Sequence, residues 1–374
     1  MIRLLLITCI ISALSQCSPP SSSPMNSQPD TPPIAATNYS AQDLIAGTLP
    51  EIADALRGGG ISAEELVKLY LLRITQVDQS GPSLQSVLTL NPDILQQARA
   101  LDEKRAAGEP LGPLHGVPIL LKDNIETSDK MATTAGALAL KDNLTDRDSP
   151  LVAGLREAGA LILGKTNLSQ WANFRSNHSM SGWTALGGQV RNPHMLSRNP
   201  CGSSSGSGAA TAASLAAGTV GTETNGSVIC PSNVNGVVGF KPSVGLVSQQ
   251  YIVPISASQD TAGPMTKSVR GAAMMLNAMA TGPRKTDYLA GLEEGALSGI
   301  RVGVLRYSVG DNRDIVELFD SALLELEAAG AILIEIQERP SQVEGFDSFT
   351  SSVMKYEFKA GLNGSGAFGT TASI

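Results

Sequence analysis

An α/β fold with a largely parallel or mixed sheet is predicted by two patterns in the sequence. Short apolar runs alternate with helix-length segments between residues 60 and 340, as expected when buried strands are covered by helices. The composition agrees. Of 374 residues, 42% are hydrophobic and only 16% are charged. A core of this size can form, and a disordered chain would need more charge and less apolar content. The 38 glycines have no three-residue period, which excludes collagen and points to close packing of backbone on backbone.

The elements follow in order from about Tyr39. Ser62 and Glu65 match a capping box. Leu66, Leu69, Tyr70, Ile74 and Val77 then fall at helical spacing, so 63–78 is predicted as a helix. Pro92 to Ala107 is predicted as a second helix, stopped by Gly108. Val117 to Leu121 is an apolar run bounded by turn residues and is expected to be a buried strand. Pro150 suits the first position of a helix ending near Gly159, and Ala160 to Leu163 is again a strand. Ala209 to Ala217 reads as a helix of small residues with no polar face, hence buried. The rest alternates: helix from Ser268 to Ala280, strand from Arg301 to Leu305, helix over 313–329 and strand from Ala331 to Ile336.

The N-terminus has a different character. Arg3 precedes an apolar run from Leu4 to Leu14, too short to span a bilayer and laid out like a secretory signal peptide. Leu14-Ser15-Gln16-Cys17 resembles a bacterial lipobox, with Gln16 in place of the usual small residue. The sequence therefore predicts a signal peptide over 1–17, a Ser/Pro-rich linker over 18–38 and one domain over 39–374. The expected location is the periplasm, the cell envelope or the exterior, and the only membrane contact expected is a lipid on Cys17. The formal net charge of −7 and the absence of any Lys/Arg block disfavour nucleic acid as a partner.

Several motifs fail on their mechanics. Gly159 to Thr166 matches the P-loop pattern, but Ala-Leu-Ile-Leu between its glycines reads as a strand rather than a phosphate cradle. Gly202 to Gly206 matches G-x-S-x-G, yet His115, His178 and His194 all precede the serines, contrary to the hydrolase order. The histidines lack metal-ligand spacing, so no metal and no cofactor is expected. Cys201 and Cys230 allow at most one bridge, and two small buried thiols are the expected state.

Three segments remain. Lys122 closes the apolar strand before Asp123-Asn124. Desolvation there would make it a base; the other reading is a lysine that snorkels or pairs with Asp123. Pro200 to Gly208 is a Gly/Ser loop entering the small-residue helix, suited to holding a polar group; a linker would not abut a core. Gly221-Thr222-Glu223-Thr224-Asn225-Gly226-Ser227 is either a turn or a nest of amides beside a serine nucleophile.

Together, LHGVPILLKDN (114–124), TTAG (133–136), LREAGALILGKTN (155–167), CGSSSGSGAA (201–210), GTETNGSVICPSNVNGVVGFKPSVGLVS (221–248) and QDTAGPM (259–265) resemble the amidase signature family of serine hydrolases. The resemblance spans most of 40–340. It implies the amidase signature fold, with a mixed central sheet flanked by helices on both faces. It also implies a catalytic triad: Lys122 as a neutral base, Ser203 on a cis peptide bond as the proton relay, and Ser227 as the acylated nucleophile. The amides of Thr224, Asn225, Gly226 and Ser227 would form the oxyanion hole, with Ser204 and Asp123 in support.

Two departures narrow the expectation. Asn225 stands where many members have Gly, and its side chain is expected to narrow the loop. Val228, Ile229 and Cys230 follow the nucleophile where members acting on carboxylate-bearing substrates often carry Arg. SQWANFRSNHSMSGW (169–183) resembles the bacterial peptide amidases within the family, which release ammonia from C-terminal peptide amides. The expected substrate is therefore a small-molecule or peptide amide. The alternatives are a broad-specificity amidase, an amidotransferase A-type subunit, or an inactive remnant. Members of the family run longer, so the chain is expected to stop short of the family domain, with poor stability and weak or absent activity.

Overall fold

The computed structural model describes residues 41–364, apart from 340 and 342. The expected signal peptide, the whole expected linker and residues 365–374 lie outside the described residues. The chain opens on α1 (Ala41–Ala46), α2 (Leu49–Arg57) and α3 (Ala63–Arg73). Ser62 caps α3 by accepting the Glu65 N–H. The helix predicted over 63–78 keeps its apolar stripe but changes pitch: Ile74–Gln79 is a π-helical turn.

A six-stranded sheet follows, in the order β1-β3-β2-β6-β8-β7. Its strands are β1 (Val87–Leu90), β2 (Pro118–Lys122), β3 (Leu161–Thr166), β6 (Gly218–Glu223), β7 (Val238–Gly239) and β8 (Thr261–Thr266). β2 runs parallel to β3 and to β6, whereas β1, β7 and β8 are antiparallel to their neighbours. The sheet is thus mixed, as predicted. Every residue of β2, β3, β6 and β8 is buried, which requires cover on both faces. That cover comes from α4 (Ile94–Ala106), α5 (Pro150–Glu157), α6 (Ser205–Ala212), α7 (Ile229–Val234) and α8 (Val269–Met279), with α3 against α4 and α2 against α8. The minor strands β4 (Trp183–Thr184) and β5 (Gly188–Gln189) form a separate hairpin.

The helix predicted over Ala209–Ala217 begins earlier, at Ser205, and ends at Ala212. The early start follows from satisfied hydroxyls. Ser205 Oγ donates to Cys201 O at 2.6 Å, and Ser207 Oγ lies 2.8 Å from Thr166 Oγ1. Buried serines with such partners sit in a helix at little cost. The chain then turns directly into β6, which the sequence pattern presents as the start of a nest.

Beyond α8, β9 (Arg301–Leu305), α9 (Arg313–Ala328) and β10 (Ile332–Ile336) form a β-α-β unit whose two strands pair in parallel. The last described helix is α10 (Phe346–Gly364). Phe358 on α10 packs on Trp171 and Phe174, Leu362 packs with Ala135 and Val253, and Glu357 Oε2 accepts from Ser258 Oγ at 2.9 Å.

Candidate active site

Three parallel strands deliver their carboxyl ends to one place, where α/β sheets characteristically bind ligands. β2 ends at Lys122, β3 at Thr166 and β6 at Glu223. Apolar Pro118 to Leu121 are fully covered, so Lys122 is wholly buried with them. Its Nζ lies 2.7 Å from Ser203 Oγ, 2.8 Å from Thr222 Oγ1 and 3.1 Å from Thr222 O. Burial drives the lysine down to about 7, against the opposing pull of the Asp260 and Glu223 charges. The alternative of a snorkelling lysine, or one paired with Asp123, does not hold.

Asp123 instead points into a second buried cluster. Thr134 Oγ1 donates to its carboxylate, and the Asp123 O accepts the Ala135 N–H at 2.8 Å. Burial pushes the Asp123 carboxyl up while Lys165 pulls it back, and Lys165 is itself pushed down by burial. Lys165 is the lysine of the P-loop match. Its Nζ donates to Thr133 Oγ1 at 3.0 Å and to Ile125 O, within a strand and with no phosphate cradle.

Ser203 is brought to Lys122 by the Gly/Ser loop, and the Gly202–Ser203 peptide is cis. Ser203 O accepts the Ser169 N–H at 3.0 Å. Ser204 stitches the loop to its surroundings: its N–H donates to Ser227 O, and its hydroxyl bonds both N–H and C=O of Thr222, all at 3.1 Å. A Cβ on Gly202 would come within 2.4 Å of Ser169 Oγ and 2.8 Å of Ser205 Oγ, so a side chain there displaces two buried serine hydroxyls.

Ser203 and Ser227 line one narrow cleft with Asn124, Thr224 and Asp260. Two carboxylates shape the loop between β6 and α7. Glu223 accepts N–H groups from Gly226 (2.7 Å), Val228 (2.7 Å) and Ile229 (3.0 Å). Asp260 accepts the Thr224 hydroxyl and the amides of Ile255 and Ser256. Lys241 Nζ donates to Thr224 O at 2.6 Å and sits 3.7 Å from Glu223. Sequence reasoning missed all three. An acidic residue inside a glycine-rich turn just before a helix was the available signal for Glu223, since such a residue finds free amides.

Three expectations are corrected here. The Gly226 N–H is engaged by Glu223, which takes it out of the amides open to an oxyanion, and Asn225 is exposed rather than narrowing the loop. Cys201 and Cys230 are not thiols but a disulfide, with Cα atoms 5.9 Å apart across 29 positions of sequence. Nothing local in the sequence shows that the Gly/Ser loop and the start of α7 meet. Ser204 N–H to Ser227 O, and Asn235 Nδ2 reaching both Pro200 O and Pro231 O, hold them together.

The histidines stand apart from the cleft's chemistry. His115 Nε2 is 3.0 Å from Leu101 O, His194 Nε2 is 2.9 Å from Asn235 O, and His178 is exposed. Among the described residues, no three His, Cys, Asp or Glu side chains converge on a metal position.

The chain is similar in sequence and fold to known proteins. The amidase family profile matches residues 65–365. A putative amidase of Arthroderma benhamiae is 42% identical over 294 residues, covering 75% of this chain and 49% of that protein. The A-type subunit of the glutamyl-tRNA(Gln) amidotransferase of Acidothermus cellulolyticus is 39% identical over 306 residues, covering 79% and 59%. Among solved structures, the native peptide amidase of Stenotrophomonas maltophilia superposes with a TM-score of 0.80 at 45% identity, covering 85% of this chain and 67% of that one. An amidase family protein of Bacillus anthracis gives 0.81 at 35% identity, covering 89% and 68%. The chain thus spans roughly half to two-thirds of the length of the relatives it matches. With a matching profile over most of its length and this fold at such identity, the chain belongs to the amidase signature family.

Proposed function

We propose that the protein is a serine amidohydrolase that releases ammonia from a terminal carboxamide of a peptide or small molecule. The observation that carries this reading is the triple contact of the buried Lys122 Nζ. A neutral amine has two N–H groups and one lone pair. Thr222 O and Oγ1 suit the two N–H groups, which leaves the lone pair for the Ser203 hydroxyl at 2.7 Å. Lys122 then draws a proton from Ser203, Ser203 draws one from Ser227, and Ser227 Oγ attacks the carbonyl. The amides of Thr224, Asn225 and Ser227 are the donors for the developing oxyanion. The proton returns along the same path to the leaving amine, and water cleaves the acyl-enzyme.

The cleft favours a neutral, nitrogen-bearing substrate. No Lys, Arg or His is among the described residues that line it, and its two carboxylates accept from the protein's own amides. Asn124 Oδ1 is buried and has no partner among the described residues, while its Nδ2 donates to Thr222 Oγ1 at 3.0 Å. That oxygen is an acceptor for an N–H of the carboxamide. The similarity to a peptide amidase supports a peptide substrate. The disulfide supports an exported, oxidising location.

The test is ammonia release from C-terminally amidated peptides, simple aliphatic amides and glutamine. Turnover is expected on the first, and to fall by roughly a thousand-fold or more in Lys122→Ala, Ser203→Ala and Ser227→Ala. Unchanged turnover in any of these would sink the triad; activity confined to glutamine would favour an amidotransferase-type role.

A further inference from the structure

We infer that the Cys201–Cys230 disulfide is a positioning brace for the catalytic serines, and that its reduction switches the site off. The inference rests on Ser203 and Ser227 acting as proposed above. Cys201 lies two residues before Ser203, and Cys230 lies three residues after Ser227. The bridge therefore joins the two loops whose serines must exchange a proton. The other ties between these loops are noncovalent: Ser204 N–H to Ser227 O at 3.1 Å, and the Asn235 amide spanning Pro200 O and Pro231 O.

The backbone at the bridge is also held away from its resting preference. Cys201 has φ +58 without being glycine, a conformation that persists only when its surroundings enforce it. Its N–H bonds Asn199 Oδ1 at 2.7 Å and its C=O accepts from Ser205 Oγ at 2.6 Å. Next along the chain, Gly202 has no spare volume against Ser169 and Ser205. A shift at Cys201 is thus transmitted to Ser203 rather than absorbed. On the other side, Cys230 N–H bonds Gly226 O at 2.8 Å, so the bridge also anchors the turn that presents Ser227.

Both cysteines are half-buried rather than enclosed, so a small dithiol reaches the bond. Attack breaks the S–S bond. The protein takes up two electrons and two protons to become two thiols, and the dithiol closes to its own disulfide. Bonded sulfurs sit about 2.05 Å apart, whereas nonbonded heavy atoms rest at about 3.5–4 Å. Reduction removes the covalent tie between the two loops, and a misplacement of about 1 Å between reacting groups is able to cost about a hundred-fold in rate.

The experiment compares the full chain, oxidised and after treatment with dithiothreitol, at a temperature where circular dichroism shows both folded. Thiol titration verifies the gain of two thiols. Expected on reduction are a drop of about ten-fold or more in kcat on an amidated peptide, an equal slowing of fluorophosphonate labelling at Ser227, and a KM changed by less than about three-fold. Reoxidation restores all three. Cys201→Ser, Cys230→Ser and the double variant should each behave like the reduced protein and lose their response to the dithiol. A reduced, folded protein with kcat within about two-fold of the oxidised one overturns the proposal. So does a loss of activity that tracks global unfolding, because the bridge would then serve stability alone. If the oxidised protein neither turns over amides nor takes the label, the reading of Ser227 as nucleophile fails first, and the brace falls with it.

Discussion

Lys122 shows how far a single residue can be read before its neighbours are known. Its place at the end of an apolar run foretold desolvation; its partner Ser203, 81 positions away, followed only from the family resemblance and not from any local pattern. Below about pH 7 the folded protein holds Lys122 as a cation, and a cation cannot take the Ser203 proton. The expected profile is therefore a kcat/KM that climbs through about pH 7 and levels off above it, measured on an uncharged amide substrate. A flat profile from pH 5.5 to 8.5 would contradict the neutral-lysine reading. In the same direction, the unfolded chain retains this proton up to the ordinary lysine value. Stability gains from this residue as pH rises above about 7. Glu223 is the complementary case, invisible to motif reasoning and central in the structure. Glu223→Gln places an NH2 against amides that need an acceptor. Denaturant unfolding should show a loss of about 1–3 kcal/mol, together with slower labelling of Ser227.

At the scale of elements, legibility followed side-chain size. Strands built from Leu, Ile and Val, such as β2 and β3, announce themselves, as do helices with an apolar stripe. β6, with the sequence GTVGTE, does not, because its two glycines pack tightly: a Cβ on Gly221 would lie 2.7 Å from Ser204 Oγ at the head of α6, and one on Gly218 would lie 2.8 Å from Met275 Sδ. Small residues carry little propensity, so the same letters read as turn or nest. The packing gives a direct test in α6. A Cβ on Gly206 would lie 2.3 Å from both Asn167 O and Ser86 O, two backbone atoms that cannot step aside. Gly206→Ala is expected to cost at least about 2–3 kcal/mol in a thermal or chemical melt. Gly291→Ala, with open space around it, should stay within about 0.5 kcal/mol of the parent. Equal effects in the two would mean that α6 is not packed as described.

For the molecule as a whole, the core is unevenly distributed. Four strands of the six-stranded sheet, β2, β3, β6 and β8, are wholly buried, whereas the β9-α9-β10 unit buries little beyond Val304, Leu323 and Ala331. Leu305, Ile315, Leu318, Leu324, Ile332 and Ile334 are all exposed on it, a concentration unusual for a free surface. An apolar dye such as ANS is expected to fluoresce on the native protein, and Leu318→Lys with Leu324→Lys should cut that signal by half or more. No signal from the native chain would show that this face is covered in solution. The sequence predicted all three elements of this unit, because a helix stripe and two apolar runs are local patterns. It was silent on their exposure, which depends on what packs against them.

The contacts of α10 bear on the order in which the protein is made. Trp171 and Phe174 on one side of the cleft, and Val253 and Ser258 on the other, meet partners on a single helix near residue 360. Ribosomal synthesis delivers Lys122, Ser203 and Ser227 more than a hundred residues earlier than that helix. A nascent chain thus carries these three residues for some time without the element that joins the cleft's two sides. The two sides of the cleft are therefore tied together late in synthesis, after every strand of the six-stranded sheet has been made.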